Sequence, residues 1–353
     1  MKILFFTKYN ELGPSSRYRV YQYIDSFEKA GIQVDVMPFF GSRYFTNNLG
    51  AKIVYTLYCY LRRKLSLLNV FNYDIIYVEY ELFPYFPALF EKLFKLLKVK
   101  YIVDYDDAIF HHYNTSKNGF IRLMLSNKID SVIKNASYVI SGSPYLTQYI
   151  SELNTNCVEI PTSVSSTIYH QLFEKKVNNV FTIGWIGSKT TSVNVLSLLP
   201  VFEKLSSKFE FQLNLIGFDE QLSSKLQHLN VHFIKWDAKT EIDQIKRFDV
   251  GIMPLENTAF NQGKCGFKLV QYMGCSLPTI SSPLEANLKI NRNKKNLHAT
   301  SNQEWMDAFE KVYENQSYYR EVGLANYNDF LKYYTIESNY ERYIEVFKKL
   351  KSN

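Results

Sequence analysis

The apolar residues of this chain fall in short runs separated by longer amphipathic stretches. Runs at 3–7, 33–38, 74–79, 100–104 and 138–141 have the length and β-branched content of buried strands. The stretches at 16–30, 51–68 and 87–98 carry the helical period, and Pro14 and Gly31 punctuate the first of them. The rhythm lapses over 161–179, where Ser, Thr, Pro, Asn and Lys follow no period, and this predicts a domain junction. It then resumes, with strands expected at 181–186, 211–216, 231–234, 250–254 and 278–281. Helices are expected at 193–208, 241–247 and 264–273. Alternation of this kind predicts an α/β protein with a parallel sheet in each of two domains, the first over 1–162. Two such domains leave a cleft, and ligands bind beyond the carboxyl ends of their strands.

Composition narrows the class. At 353 residues, 46% hydrophobic and 21% charged, the chain is globular and large enough for two cores. A net charge of +7 suits anionic partners such as nucleotide phosphates or anionic lipid. Nucleic acid is not expected, because no recognition module accompanies the charge. Cys59, Cys157, Cys265 and Cys275 form no C-x-x-C pair and have no histidine cluster beside them. This argues against zinc and for a reducing cytoplasmic compartment. The first residues read as a buried strand rather than a signal peptide, and no apolar run approaches the roughly 20 residues of a membrane span. The basic-aromatic stretch at 52–68, with Arg62, Arg63 and Lys64, reads either as a peripheral contact with the inner membrane surface or as an ordinary amphipathic helix.

Four segments carry candidate chemistry. With 264–275 drawn as one helix, Lys264, Lys268 and Gln271 share a narrow sector, and Phe267, Leu269, Val270 and Met273 fill the rest. Two lysines one turn apart repel by about 0.2–0.5 kcal/mol when exposed, and by more when desolvated. An anion at the helix N-terminus relieves this, so Gly263–Gln271, including Cys265 and the flexible Gly266, reads as a diphosphate site. The competing reading is a solvated basic face over core. The loop of GWIGSKTT (184–191) offers Gly187, Ser188 and Lys189 as a second phosphate cradle, although it is neither a Walker loop nor G-x-G-x-x-G.

In the first loop and helix, Arg17 falls on the stripe of Val20, Ile24 and Phe27 and is expected to point inward. Arg19 lies roughly 200° away and is expected in solvent. With Gly13, Ser15 and Ser16, Arg17 makes an acceptor-binding candidate, or else a structural ion pair. Asp104, Asp106 and Asp107 crowd the carboxyl end of a strand. Such a cluster needs a cation, an arginine or sugar hydroxyls, or else Asp106 or Asp107 caps a helix. His111 and His112 follow; either offers a general acid or base, while paired histidines in a polar loop read as simply exposed.

The segments GPSSRYRVYQYI (13–24), VDYDDAIF (103–110), IGWIGS (183–188), FDVGIMPL (248–255) and GKCGFKLVQYMGCSLPTISSP (263–283) together resemble the retaining GT-B glycosyltransferases of family four. These are encoded with capsule, O-antigen and exopolysaccharide assembly. The resemblance implies two Rossmann-like domains facing a central cleft. Residues 1–162 plus a crossover helix in 336–353 would hold a lipid-linked or glycan acceptor. Residues 163–335 would hold a nucleoside diphosphate sugar, with Lys235 and Trp236 facing the base. It further implies retention of configuration, with no metal and no cofactor beyond the nucleotide sugar. Lys264 and Lys268 would neutralise the leaving diphosphate, and Asp106, Asp107 and Lys268 form the expected catalytic set.

The family's two glutamates, eight positions apart, correspond to Gly263 and Gln271 here. That departure keeps two alternatives open: a non-catalytic nucleotide-sugar-binding or scaffolding protein, and a sugar-nucleotide epimerase of the same fold.

Overall fold

A computed structural model describes residues 1–45, 48–169 and 179–352. The chain divides into two compact units. One comprises Met1–Val164, Gln262–Cys265 and Ile336–Asn353, and the other Ser165–Asn261 and Gly266–Thr335. Part of the junction expected at 161–179 lies outside the described residues.

The first unit is built on six parallel strands: β1 (Lys2–Phe6), β2 (Gln33–Val36), β3 (Ile75–Glu79), β4 (Tyr101–Tyr105), β5 (Tyr138–Ser141) and β6 (Cys157–Glu159). Their order is β2-β1-β3-β4-β5-β6. Every residue of β3, β4 and β5 is buried, as expected for a parallel sheet covered on both faces. The period of two distributes alternate side chains to two cores. Ile76 and Val78 join one cluster, and Ile75 and Tyr77 join the other. The last helix, Ile336–Ser352, sends Tyr343 and Phe347 into the second cluster, where Phe347 packs edge-on against Phe27 at 5.3 Å. Helix Leu49–Ser66 lies on the other face, with Cys59 in the core.

The second unit repeats the plan with β7 (Phe181–Ile186), β8 (Phe211–Ile216), β9 (Val231–Ile234), β10 (Val250–Met253), β11 (Thr279–Ser281) and β12 (Leu297–His298). All are parallel, in the order β12-β11-β10-β7-β8-β9. Helix Asn302–Glu314 covers it, opened by a capping box between Ser301 and Glu304, and Gln316–Tyr333 follows.

Several expected elements differ. The single helix at 16–30 is three pieces: Pro14–Arg19, a 3₁₀ turn Tyr21–Tyr23, and Ile24–Lys29. The break falls at Val20, whose ψ of −64° accompanies a φ of −128°. The helix placed at 193–208 is two, Val193–Leu196 and Leu199–Leu205, with Pro200 in the first turn of the second. The short strands β6 and β12 and the helices over 302–333 were not expected.

Each sheet reverses direction once. In the first unit the chain runs from β1 outward to β2, then returns to β3. In the second it runs from β7 through β8 to β9, then returns to β10. The carboxyl ends of β1 and β3, and of β7 and β10, are therefore the switch points where ligands bind in open α/β sheets.

Candidate functional site

At the switch point of the first unit, Glu79 ends β3 and is buried. It accepts hydrogen bonds from the Lys8 amide (2.9 Å) and the Ser16 hydroxyl (2.5 Å). Burial raises its pKa, and these two donors partly offset that. Tyr80 follows in the left-handed region (φ 64°), a conformation costing an aromatic residue about 1–3 kcal/mol. The turn aims its hydroxyl at Asp106, to which it donates, and Lys8 Nζ lies 5.1 Å from the centre of its ring.

Neither arginine takes the place expected of it. Arg19 is 1% exposed and grips Asp104 with two hydrogen bonds, Nε–Oδ2 at 2.9 Å and Nη2–Oδ1 at 2.6 Å. It also donates to the Ile160 carbonyl at 2.8 Å. Arg17 turns back on its own loop and donates to the carbonyls of Glu11 (2.9 Å) and Leu12 (3.2 Å). The helical phase used to place both residues assumed that the helix runs through Val20. It ends there, so the stripe of Val20, Ile24 and Phe27 says nothing about Arg17. Ser16 is likewise committed to Glu79, and the partly exposed Ser15 also hydrogen-bonds that carboxylate.

The three aspartates have separate partners. Asp104 belongs to Arg19 and also accepts from the Tyr77 hydroxyl. Asp106 belongs to Tyr80. Asp107 is held by Lys264, whose Nζ lies 2.9 and 3.0 Å from its two oxygens. Neither Asp106 nor Asp107 caps a helix. Burial opposes the charge on Lys264, but Asp107 outweighs it and raises the lysine pKa. Lys264 is therefore compensated by a carboxylate within its own unit, and the expected Lys264–Lys268 stripe does not form. The helix drawn from 264 begins only at Phe267, after Gly266 in the left-handed conformation (φ 68°). Gly263, Lys264 and Cys265 belong to the first unit; Gly266, Phe267, Lys268 and Gln271 belong to the second.

The glycine at 263 has a steric cause. A Cβ there would meet Ala108 Cβ at 2.3 Å and the Ala108 nitrogen at 2.8 Å. The segment is pinned at this approach by the Ser143 hydroxyl, which donates to the Gly263 carbonyl at 3.3 Å. A glutamate cannot occupy this position without moving the backbone of the VDYDDAIF loop. Cys265 accepts a 3.5 Å contact from Thr162, and burial pushes its thiol up to about 11, so it stays neutral.

Asp106 is the most perturbed carboxyl of the cluster. Burial, and then the charge of Asp107, raise it to about 7. Between the unfolded value, about 4, and about 7, the folded chain holds a proton that the unfolded chain has lost. The stability Asp106 contributes is therefore complete below the unfolded value and is lost as pH rises through 7. Asp106→Asn fixes the neutral form. Its melting temperature is expected to decline less than wild type between pH 5 and pH 8; identical slopes would refute the assignment.

In the second unit the candidate residues stand beyond the carboxyl ends of β7, β9 and β10. Gly187 and Ser188 follow β7, and Ser188 forms a capping box with Thr191 that opens the turn Lys189–Thr191. Lys235 and Trp236 follow β9. Trp236 is 36% exposed, and its indole donates to Glu241 at 2.6 Å. Helix Phe267–Gly274 lies in the connection from β10 to β11. Its Tyr272 hydroxyl accepts from the Ile186 amide (3.2 Å) and donates to the Ile252 carbonyl (3.1 Å), tying the helix to the ends of β7 and β10. No side chain caps its N-terminus. Lys268 is its second residue, partly buried, with Nζ 5.8 Å from the Trp185 ring centre. Gln271 is one turn further and 4% exposed. A helix N-terminus with a lysine in its first turn, over the sheet's switch point, is an arrangement for holding an anion.

Sequence reasoning missed Glu79, Tyr80, Lys8 and the Arg19–Asp104 pair. A signal existed in YVEYELF (77–83), where Glu79 and Glu81 interrupt an apolar run at the end of a strand. Glu81 pairs with Lys128 in a buried bridge that also engages the Tyr113 hydroxyl. Among the described residues no group of three or more His, Cys, Asp or Glu is arranged to hold a metal ion.

Two parallel six-stranded α/β units of these orders make up a GT-B fold. Sucrose-phosphate synthase from Thermosynechococcus elongatus superposes with a TM-score of 0.74 at 13% identity, covering 100% of this chain and 99% of that one. Anabaena HepE, solved in complex with UDP and glucose, gives 0.70 at 15% identity over 99% of both chains. A glycosyltransferase from Rickettsia africae gives 0.67 at 14% identity, covering 100% of this chain and 99% of that one. Residues 180–315 match the family model of glycosyl transferases group 1. No curated protein matches the chain in sequence. Residues 180–315 are therefore similar to glycosyl transferases group 1, within a chain of GT-B fold.

Proposed function

We propose that the protein transfers a sugar from a nucleoside diphosphate sugar to a lipid-linked or glycan acceptor in surface polysaccharide synthesis, with retention of configuration. The observation that carries the donor half is Lys268 in the first turn of the uncapped helix Phe267–Gly274, inside the segment matching glycosyl transferases group 1. There the lysine and the helix dipole oppose the charge that develops on the departing diphosphate. Ser188 and Lys189 after β7 assist it, Gln271 offers its amide to the ribose, and Lys235 and Trp236 lie toward the base. HepE is complexed with UDP, which makes uracil the first base to test.

The acceptor half rests on the first unit. In this reading Asp106 and Asp107, held by Tyr80 and Lys264, take acceptor or sugar hydroxyls, with Gly13 at the N-cap and Ser15 in the first turn of the helix after β1. Gly263 cannot supply the carboxylate that the resemblance would put there, so contact with the transferred sugar falls to other groups. Sugar transfer of this kind needs no metal or further cofactor in this reading. Nucleotide sugars and the four free thiols are consistent with work in the cytoplasm.

UDP is expected to raise the melting temperature by several degrees when present at a hundredfold excess over its Kd, where linkage gives about 2.7 kcal/mol. GDP, ADP and CMP should shift it less. A panel of UDP-sugars then tests turnover by UDP release. Silence with all four nucleotides sinks the donor site; binding without hydrolysis or transfer would favour a non-catalytic sugar-nucleotide binder.

A further inference from the structure

Of the 27 large hydrophobic side chains exposed among the described residues, 18 lie between residues 49 and 124, within the first unit. In helix Leu49–Ser66 the fully buried residues are Cys59 and Arg63. At about 100° per residue, Ile53, Leu57, Leu61 and Leu65 fall on the opposite side. They are 55%, 66%, 58% and 57% exposed. A surface helix normally presents polar residues there, so this one carries a second, outward apolar stripe. Helix Gly119–Leu125 does the same with Phe120 (72% exposed) and Leu123 (80%).

Aromatic contacts join these elements. Tyr60 stacks on Phe83 at 5.9 Å, and Phe83 meets Phe90 of helix Leu89–Leu96 at 4.8 Å. In the loop between them Tyr85, itself exposed, packs edge-on against Tyr113 at 5.5 Å, in the helix His111–Asn114 that leads into Gly119–Leu125.

The charge around the stripes has one sign. Besides the buried Arg63, residues 43–72 contain Arg43, Lys52, Arg62 and Lys64; besides the buried Lys128, residues 108–129 contain Lys117 and Arg122; neither segment has an acidic residue. We infer that this face of the first unit docks on an anionic lipid surface. The apolar stripes enter the acyl boundary, and Lys64 and Lys117 meet the headgroups. A second copy of the chain would bring lysine against lysine. Among the described residues no helix is long and apolar enough to cross a membrane, so the contact is one of lying on the surface. The inference does not rest on sugar transfer. If both hold, the face carries the enzyme to a lipid-linked acceptor.

The test uses the full chain and sedimenting vesicles without any nucleotide sugar. Vesicles of phosphatidylglycerol and phosphatidylethanolamine are expected to carry the protein down at least tenfold better than phosphatidylcholine vesicles. Leu57→Glu with Leu61→Glu should lower that binding at least tenfold, with the thermal melt and the UDP shift unchanged. Lys64→Glu with Lys117→Glu should abolish the preference for anionic lipid. No vesicle binding, binding indifferent to headgroup charge, or binding untouched by the leucine variants would each overturn the inference. So would a tight dimer in sedimentation that the leucine variants dissolve, because the face would then belong to a second copy.

Discussion

Lys268→Ala is expected to lower kcat/KM for sugar transfer by roughly 10²–10³-fold, the range for losing one preorganised group that stabilises developing charge. The lysine is the second residue of Phe267–Gly274, and its charge adds to the positive end of the helix dipole where no side chain caps the helix. Its removal should leave the melting temperature nearly unchanged, because the packing of this helix is carried by Leu269, Val270, Tyr272 and Met273. UDP affinity should fall with it. Lys264→Ala is the informative contrast. Lys264 neutralises Asp107 at 2.9 Å in the first unit, so its loss should change UDP affinity less than the loss of Lys268. Steady-state kinetics and calorimetry check both. Kinetics for Lys268→Ala within threefold of wild type would refute the donor assignment.

Arg19→Met is expected to destabilise the first unit by about 3–5 kcal/mol, the usual cost of leaving one partner of a buried ion pair unpaired. The pair is fully enclosed, with side-chain exposures of 1% and 0%. Arg19 also bonds the Ile160 carbonyl just beyond β6, so it ties the first helix to β4 and to the chain leaving the sheet. Asp104 keeps the Tyr77 hydroxyl as its remaining donor, which is too little for a buried carboxylate. Adding Asp104→Leu should restore much of the loss, because the penalty is the orphaned charge rather than the missing bridge. Urea titrations followed by circular dichroism measure both. A loss under 1 kcal/mol for Arg19→Met would show that water or another cation replaces it.

The two aspects of Arg19 and Lys264 show where the sequence stops being legible. A helical phase places each of them only if the helix continues across Val20 or across Gly266, and it does not. Periodicity is additive only while the backbone stays helical. One residue outside that geometry, Val20 in the first case and Gly266 in the second, resets the phase for everything on its far side. The elements between such breaks were legible in the apolar pattern: β5, β9 and the long helix beginning near 49 fall where it put them, and the last helix, Ile336–Ser352, answers to the crossover helix that the resemblance implied. The short strands β6 and β12, three and two residues long, leave too few positions for any period to register.

By itself, then, the sequence determined the alternation of strand and helix, the doubling of that pattern, and the strand ends where charged and small residues collect. Those follow from burial, which each residue reports locally. Only the tertiary structure decided which charges face each other. Asp104, Asp106 and Asp107 are nearly adjacent in the chain, yet their partners come from residues 19, 80 and 264. It also explained the glycine at 263 as a steric necessity against Ala108. Pairing and close approach depend on distances between segments far apart in sequence, and a one-dimensional pattern carries no measure of those distances.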